Sequence, residues 1–321
     1  MPLVSDEERA LFEQVLEAPD DLQPRLVLAD ALLERDELYG LFIQLSCSSA
    51  EVRTAREARR RLTALRRATV PAFLGALGGA LTSNQRRVSF ADGLLDSCAL
   101  AVTDAARFAA CEGDPLWGTV RALELPKASD RRVYDAIAFA GRNASWRWLD
   151  RVRVGAPYHV RALCLAPSFP VQTLRVEFCW PEDVERLARP EHFPRLRRLE
   201  LDVVPINGEH GTAQVASIMR RPLELLQISG VQLTAPIWIP LVEGGAVQTL
   251  RLLYEGFAIE TSPSAGDFRW RLRRLSPRGR KGAARALLRR VDPYFVRDVE
   301  FVETSVRKES SHHGKRRPHG L

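Results

Sequence analysis

Residues whose types and spacing could do chemistry are sparse in this chain of 321 residues. Asp20, Asp21 and Asp30 flank Arg25, and paired carboxylates beside an arginine can carry acid–base work. The same four residues also make a turn, a helix cap and an intrahelix ion pair, and their spacing favours that structural role. The histidines are His159, His192, His210, His312, His313 and His319. Only His312, His313 and His319 are close enough together to hold a metal ion, and they sit in a polar tail that reads as solvated. Cys47, Cys98, Cys111, Cys164 and Cys179 are odd in number, lack CxxC spacing and mostly have apolar neighbours, which points to reduced, packed thiols. The pairs Trp146/Trp148 and Phe268/Trp270 could stack on a ligand but read as packing. There is no GxxxxGK[ST], GxGxxG or HExxH phrase. The residues therefore predict a non-enzymatic protein with no cofactor and no metal.

Composition points the same way. Hydrophobic residues are 45% and charged residues 27% of the chain, an ordinary globular balance. No apolar run has the length of a membrane span, and the first residues show neither the basic flank nor the apolar segment of an export signal. The expectation is a cytoplasmic protein with no membrane partner. The net charge of +7 is concentrated near the C-terminus: residues 268–321 carry 16 basic and 5 acidic residues, so the remainder is slightly acidic.

Three helical stretches open the chain. Ser5 and Glu8 have capping-box spacing, with Leu11, Val15 and Leu16 behind them. Pro19-Asp20-Asp21 is a turn. A helix is predicted from about Gln23 to Glu34, with Leu26, Ala29 and Leu33 on its buried side, and Leu38–Leu45 closes the unit. Pro19, Asp20, Asp21, Arg25, Leu26, Ala29, Asp30, Leu32, Glu34, Arg35, Phe42, Ile43 and Leu45 resemble the short repeat-companion domain that opens many large bacterial paralogue families. Two positions depart from that pattern: Ala31 stands for the usual Trp, and Asp36-Glu37 for the usual Gly-Asp. The resemblance covers roughly 45 residues. It implies that repeats come after it, and it implies no reaction.

Next comes a basic stretch containing Arg53, Arg56, Arg59, Arg60, Arg61, Arg66 and Arg67, with Val52, Ala55, Leu62 and Leu65 as a modest apolar face. Such a helix is either a solvated face or a nucleic-acid contact. Residues 70–81 are apolar and glycine-rich and are expected to bury the junction between the N-terminal unit and the repeats.

A phrase of apolar, two spacers, apolar, one spacer, apolar then recurs. It is clearest as Val171-Gln-Thr-Leu-Arg-Val176 and Val247-Gln-Thr-Leu-Arg-Leu252. The full series is Leu95/Cys98/Leu100, Val120/Leu123/Leu125, Leu149/Val152/Val154, Val171/Leu174/Val176, Leu196/Leu199/Leu201, Leu223/Leu226/Ile228 and Val247/Leu250/Leu252. Starts are separated by 22 to 29 residues, the period range of leucine-rich repeats. Val160–Leu165 fits the phrase too and breaks the period. Between phrases, Thr103–Cys111 (capped by Thr103), Arg131–Gly141, Pro181–Arg189 and Gly211–Arg220 read as helices. The resemblance to leucine-rich repeats is degenerate: the usual Asn or Cys after the strand is met only by Cys179, so irregular turns are expected.

The predicted fold is α/β: a helical unit (1–48), a basic helix and apolar junction (49–87), an irregular leucine-rich-repeat-like solenoid with a parallel strand wall (88–255), a C-terminal cap that either continues the repeats or forms a hairpin (256–306), and a disordered basic tail (307–321). Spacers on such a wall point outward. The outward column holds Ala99, Glu124, Arg153, Arg175, Glu200, Gln227 and Arg251, and the next holds Glu177, Asp202 and Ser229. Glu124, Arg153, Arg175, Glu177, Glu200, Asp202, Gln227 and Arg251 are the candidate contacts for an unidentified protein partner. The alternatives are that opposite charges in the columns simply pair, or that the Arg53–Arg67 helix and the tail bind nucleic acid.

Overall fold

The computed structural model describes residues 5–35, 37–49, 53–84, 87–127, 132–155, 157–164, 169–203, 217–229, 246–254, 257–262, 267–274 and 300–302. Three helices come first: α1 (Asp6–Glu17), α2 (Gln23–Glu34) and α3 (Leu38–Cys47). The capping box is formed. Ser5 Oγ accepts from the Glu8 amide at 3.0 Å, and the Glu8 carboxylate accepts from the Ser5 amide at 3.3 Å. Removing the hydroxyl with Ser5→Ala leaves first-turn donors unsatisfied, and urea denaturation is expected to register a loss of about 1 kcal/mol.

Helix α2 buries Arg25, Leu28, Ala29 and Leu32, so its inner face is rotated from the expected Leu26, Ala29 and Leu33. The charged residue turns inward because its guanidinium finds partners there. It donates to the Pro19 carbonyl, lies 3.6 Å from Asp92 and sits 5.5 Å from the Trp148 ring centroid. Periodicity assigns an arginine to the outside, and this local satisfaction overrides it.

Helix α4 (Arg56–Leu74) carries the basic stretch, and a short helix α5 (Leu77–Ala80) comes after it. Val70, Phe73, Leu74, Leu77, Ala80 and Leu81 are buried at the junction. Phe73 stacks on Tyr39 with ring centroids 3.5 Å apart.

One mixed sheet takes up the rest, its strands lying in chain order: β1 (Ser89–Ala91), β2 (Leu94–Ala99), β3 (Ala122–Glu124), β4 (Arg151–Val154), β5 (Thr173–Cys179), β6 (Arg198–Val203), β7 (Leu225–Ser229), β8 (Thr249–Tyr254), β9 (Phe257–Ser262), β10 (Asp267–Arg274) and β11 (Glu300–Val302). Each step from β2 to β8 is parallel. Cys98, Leu123, Val152, Leu174, Leu199, Leu226 and Leu250 stand opposite one another in register, so the middle apolar residue of every phrase forms one buried row. Strands β8, β9 and β10 are antiparallel neighbours, which is the hairpin arrangement for the segment after Tyr254. Residues 275–299 and 307–321 lie outside the described residues.

Helices α6 (Ala105–Ala109), α7 (Arg132–Arg142), α8 (Pro157–Cys164) and α9 (Pro181–Ala188) occupy the connections. Asp104, not Thr103, caps α6, accepting from the Arg107 amide at 3.0 Å. The rival phrase Val160–Leu165 belongs to α8 up to Cys164: Pro157 opens that helix, and Val160 and Leu163, three residues apart, are buried. Trp117, fully buried, donates from Nε1 to the Cys111 carbonyl at 2.8 Å, and Trp146 donates to the Ala140 carbonyl at 2.8 Å. Trp146 is thus core packing. The described cysteines are free thiols; burial pushes Cys47, Cys111 and Cys164 up to about 11, which keeps them protonated and unreactive. One apolar core runs without a break from Phe12 to Leu252, so the helical unit and the sheet share an interior. Among the described residues, no helix is long and apolar enough to cross a membrane.

Candidate interaction surface

The sheet brings the expected outward column together. Ala99, Glu124, Arg153, Arg175, Glu200, Gln227, Arg251 and then Glu260 face one another on successive strands. Neighbours in such a column are about 4.8 Å apart along the sheet, close enough for side chains to meet. They do meet. Arg87 lies 3.5 Å and Arg153 3.9 Å from the Glu124 carboxylate. Arg175 approaches Glu200 at 3.7 Å. Arg251 donates to Glu260 at 2.6 Å and to Gln227 at 3.4 Å. Ser229 donates to Asp202 at 3.2 Å. The wall's charges are largely engaged with each other. Pairs this exposed each contribute roughly 0–1 kcal/mol, so they are a weak source of stability and offer little unspent charge to a partner. Ala99 departs from the outward expectation and is buried.

Glu177 is the larger departure. Period-two alternation along β5 places it outward beside Asp202. The register shifts between Val176 and Cys179, a bulge at which Glu177 is buried beneath its partners while it stays paired with Arg153 of the outward column. There Arg153 Nε donates to its carboxylate at 2.7 Å, and Lys127 also donates to it. Burial pushes the Glu177 carboxyl up, but the hydrogen bonds from Lys127 and Arg153 outweigh it and hold the group below its ordinary range. Gly155 makes room for this arrangement, since a Cβ there would collide with the Lys127 side chain.

The same bulge throws Phe178 outward. Its φ is +57°, the left-handed region that a bulky residue rarely occupies, and the residue is 58% exposed. Trp180, two residues on, is 49% exposed and stands at the N-cap of α9, where its carbonyl accepts from the Asp183 and Val184 amides at 3.0 and 3.2 Å. Among the described residues these are two of the large exposed hydrophobic side chains, and neither belongs to the column that period-two spacing singles out. The signal available for them was the phrase Phe-Cys-Trp-Pro: an aromatic on each side of a buried cysteine, stopped by a proline that starts the next helix.

The other candidate groups resolve into structure. Asp21 accepts from the Gln23 amide at 2.9 Å and Asp30 from Gln44 at 2.6 Å. Asp20 lies 3.6 Å from Arg121, whose guanidinium also donates to the Pro19 carbonyl at 3.1 Å. Trp148 takes Arg25 and Arg121 on its ring at 5.5 and 5.3 Å and donates to the Leu16 carbonyl at 2.9 Å, tying α1 and α2 to the sheet. His159 is buried, and desolvation lowers it to about 4. His210 and the three tail histidines, with the side chains of Phe268 and Trp270, lie outside the described residues. Among the described residues, no three His, Cys, Asp or Glu side chains are grouped to hold a metal ion.

Fold and surface together define a mixed α/β protein with a mostly parallel sheet and two exposed aromatic residues, Phe178 and Trp180, about the end of its fifth strand. No family model, no curated protein and no solved structure matches the chain.

Proposed function

We propose that this chain is a non-enzymatic protein–protein interaction scaffold: a repeat-companion unit followed by an irregular solenoid of the leucine-rich-repeat kind, with its partner docking at the strand wall. The chain-order parallel ladder and the period of 22 to 29 residues support the solenoid. The observation that carries the docking reading is that Phe178, near the end of β5, and Trp180, two residues on at the start of α9, are both large exposed aromatics. Aromatic anchors supply most of the affinity of protein interfaces, while surrounding paired charges contribute register. Arg175, half-exposed on the same strand as Phe178 and paired with Glu200, is a wall charge that a partner's carboxylate would have to win from that pair.

Phe178 also offers a test that separates function from folding. A left-handed phenylalanine is strained, and local strain kept without a stabilising contact points to use. Phe178→Gly relieves the strain and is expected to raise stability by up to about 1 kcal/mol in urea denaturation, offset by the greater freedom of glycine in the unfolded chain. In affinity capture followed by mass spectrometry, Phe178→Gly combined with Trp180→Ser should deplete a specific protein at least tenfold relative to the unaltered chain. Identical capture profiles from the two proteins would remove this surface from consideration.

A further inference from the structure

We infer that the outer face of α4 and the cavity beside it bind single-stranded nucleic acid, phosphates along the arginines and one base in the cavity. This site is separate from Phe178 and Trp180.

Six of the seven arginines of this stretch divide into two sets; the seventh, Arg61, is exposed but lines neither the groove nor the cavity. Arg53 and Arg66 have partners: Arg53 lies 3.5 Å from Asp92, and Arg66 donates to the Val88 carbonyl at 2.7 Å with its guanidinium 5.0 Å from the Phe90 ring centroid. Arg56, Arg59, Arg60 and Arg67 are exposed, and among the described residues none has a carboxylate within ion-pair distance. These four line a shallow groove of about 500 Å³ with Thr63. The contrast with the strand wall is direct: there the guanidinium groups have carboxylates or amides, and here they are available. A helix rises 1.5 Å per residue, so Arg56 to Arg67 spans about 16 Å, the reach of several phosphates.

Thr63 and Arg67 also line a neighbouring cavity of about 650 Å³, within the size range of ligand sites. Its walls combine Val70, Leu74, Leu81 and Phe90 with the hydroxyls of Thr63, Thr82 and Ser83. Arg66 sits in it with its guanidinium plane held by the Val88 carbonyl and Phe90, a surface on which a base can stack. Pro71, inside α4, has no amide hydrogen, so the Arg67 carbonyl lacks its helical donor and remains an acceptor for a base edge. A groove of free arginines opening into a half-apolar cavity with hydroxyls suits an unpaired base followed by its phosphates. A duplex keeps its bases stacked inside and has nothing to place in the cavity. A membrane surface is a poorer fit: the apolar side of α4 is used in the core through Val70, Phe73 and Leu74, which leaves no face to insert. A protein partner is also poorer, because no large hydrophobic side chain is exposed on α4.

The test uses the full chain and three probes: a labelled oligothymidylate, a mixed-sequence duplex of equal length, and vesicles of phosphatidylcholine with phosphatidylserine. Oligothymidylate should bind tightest by fluorescence anisotropy. Arg56→Gln, Arg60→Gln and Arg67→Gln together should weaken it at least tenfold at low salt and flatten the slope of log affinity against log salt by about 2, roughly 0.7 per lost phosphate contact. These side chains are exposed, so the variant keeps its fold, which circular dichroism checks. Gly78→Leu fills the cavity; a Cβ at that position meets only Leu74 at 3.6 Å, an ordinary contact. It should weaken oligothymidylate at least fivefold while leaving the salt slope unchanged. Unaltered affinity in the triple variant overturns the arginine site. Equal binding of duplex and oligothymidylate, or no effect of Gly78→Leu, overturns the base in the cavity. Tighter binding to vesicles than to oligothymidylate overturns nucleic acid as the ligand.

Discussion

Gly93→Ala should lower the unfolding free energy by about 3 kcal/mol, seen as a fall in the urea midpoint at an unchanged slope. Asp92 and Gly93 are the two central residues of the β1–β2 hairpin, with φ of +48° and +80°. Positive φ at both positions is what a type I′ turn requires, and Asp-Gly is among the pairs that supply it most easily. This turn plugs into the helical unit. Tyr39 Oη donates to the Gly93 carbonyl at 2.5 Å, Cys47 Sγ to the Asp92 carbonyl at 3.6 Å, and the Asp92 carboxylate meets Arg25 and Arg53. A Cβ on Gly93 would lie 2.6 Å from Ile43 Cα, which is backbone of α3 and cannot step aside as a side-chain tip can. Two costs add: a left-handed conformation for alanine, about 1 kcal/mol, and overpacking against a helix, about 1–3 kcal/mol. Gly113 separates them. Its φ is +78°, and a Cβ there meets nothing within 4 Å. Gly113→Ala should therefore cost only the conformational part, about 1 kcal/mol. Equal losses for the two variants would show that the turn does not hold the helical unit against the sheet.

The ladder was legible in the sequence because its cause is simple. A strand buried against its neighbours needs an apolar residue at each inward position, and that need repeats every turn of the chain. Leu174, Leu199 and Leu226 could therefore be placed side by side from spacing alone. What escaped depends on contacts that spacing does not encode. The bulge in β5 exposes Phe178 where alternation would place it inward, and the buried Glu177 carboxylate beside it is held by Lys127, fifty residues away in the chain. Arg25 faces inward because a carbonyl, a carboxylate and an indole ring converge on it from three separate segments. Val160–Leu165 satisfies the strand phrase and the helix period at once; Pro157, at a first-turn position, was the local cue that favours helix. Asp92-Gly93 was a readable hairpin signal that the repeat pattern overshadowed. For the candidate surface, spacing located the column but not its state: whether Arg251 faces a partner or Glu260 is decided by the antiparallel turn-back of β9, outside the repeat.

Acid should weaken this fold through His159, by up to about 3 kcal/mol between pH 6.5 and 4. The residue is fully buried on α8, and loss of solvation lowers its imidazole from 6.5 to about 4. The unfolded chain then takes up a proton near pH 6.5 that the folded chain refuses until about pH 4. Across that window the unfolded state binds more protons, so stability rises with pH and is lost on acidification; above 6.5 and below 4 the two states carry the same charge and the contribution is flat. Asp183, on the adjacent α9, works the other way. Burial raises its carboxyl despite Arg161 at 3.4 Å and Arg186 at 3.1 Å, so the folded state holds that proton more readily than the unfolded chain and gains from acidification above the ordinary carboxylate range. The net curve contains both effects, and a variant isolates the first. In His159→Leu the side chain remains apolar at every pH. Its urea-derived stability should lose the dependence between pH 4 and 6.5 attributable to the imidazole, giving a shallower acid slope than the unaltered protein whatever the absolute change at about pH 7. Parallel pH profiles for the two proteins would mean that the folded state accommodates the imidazolium, and that α8 opens to water far more easily than its packing indicates.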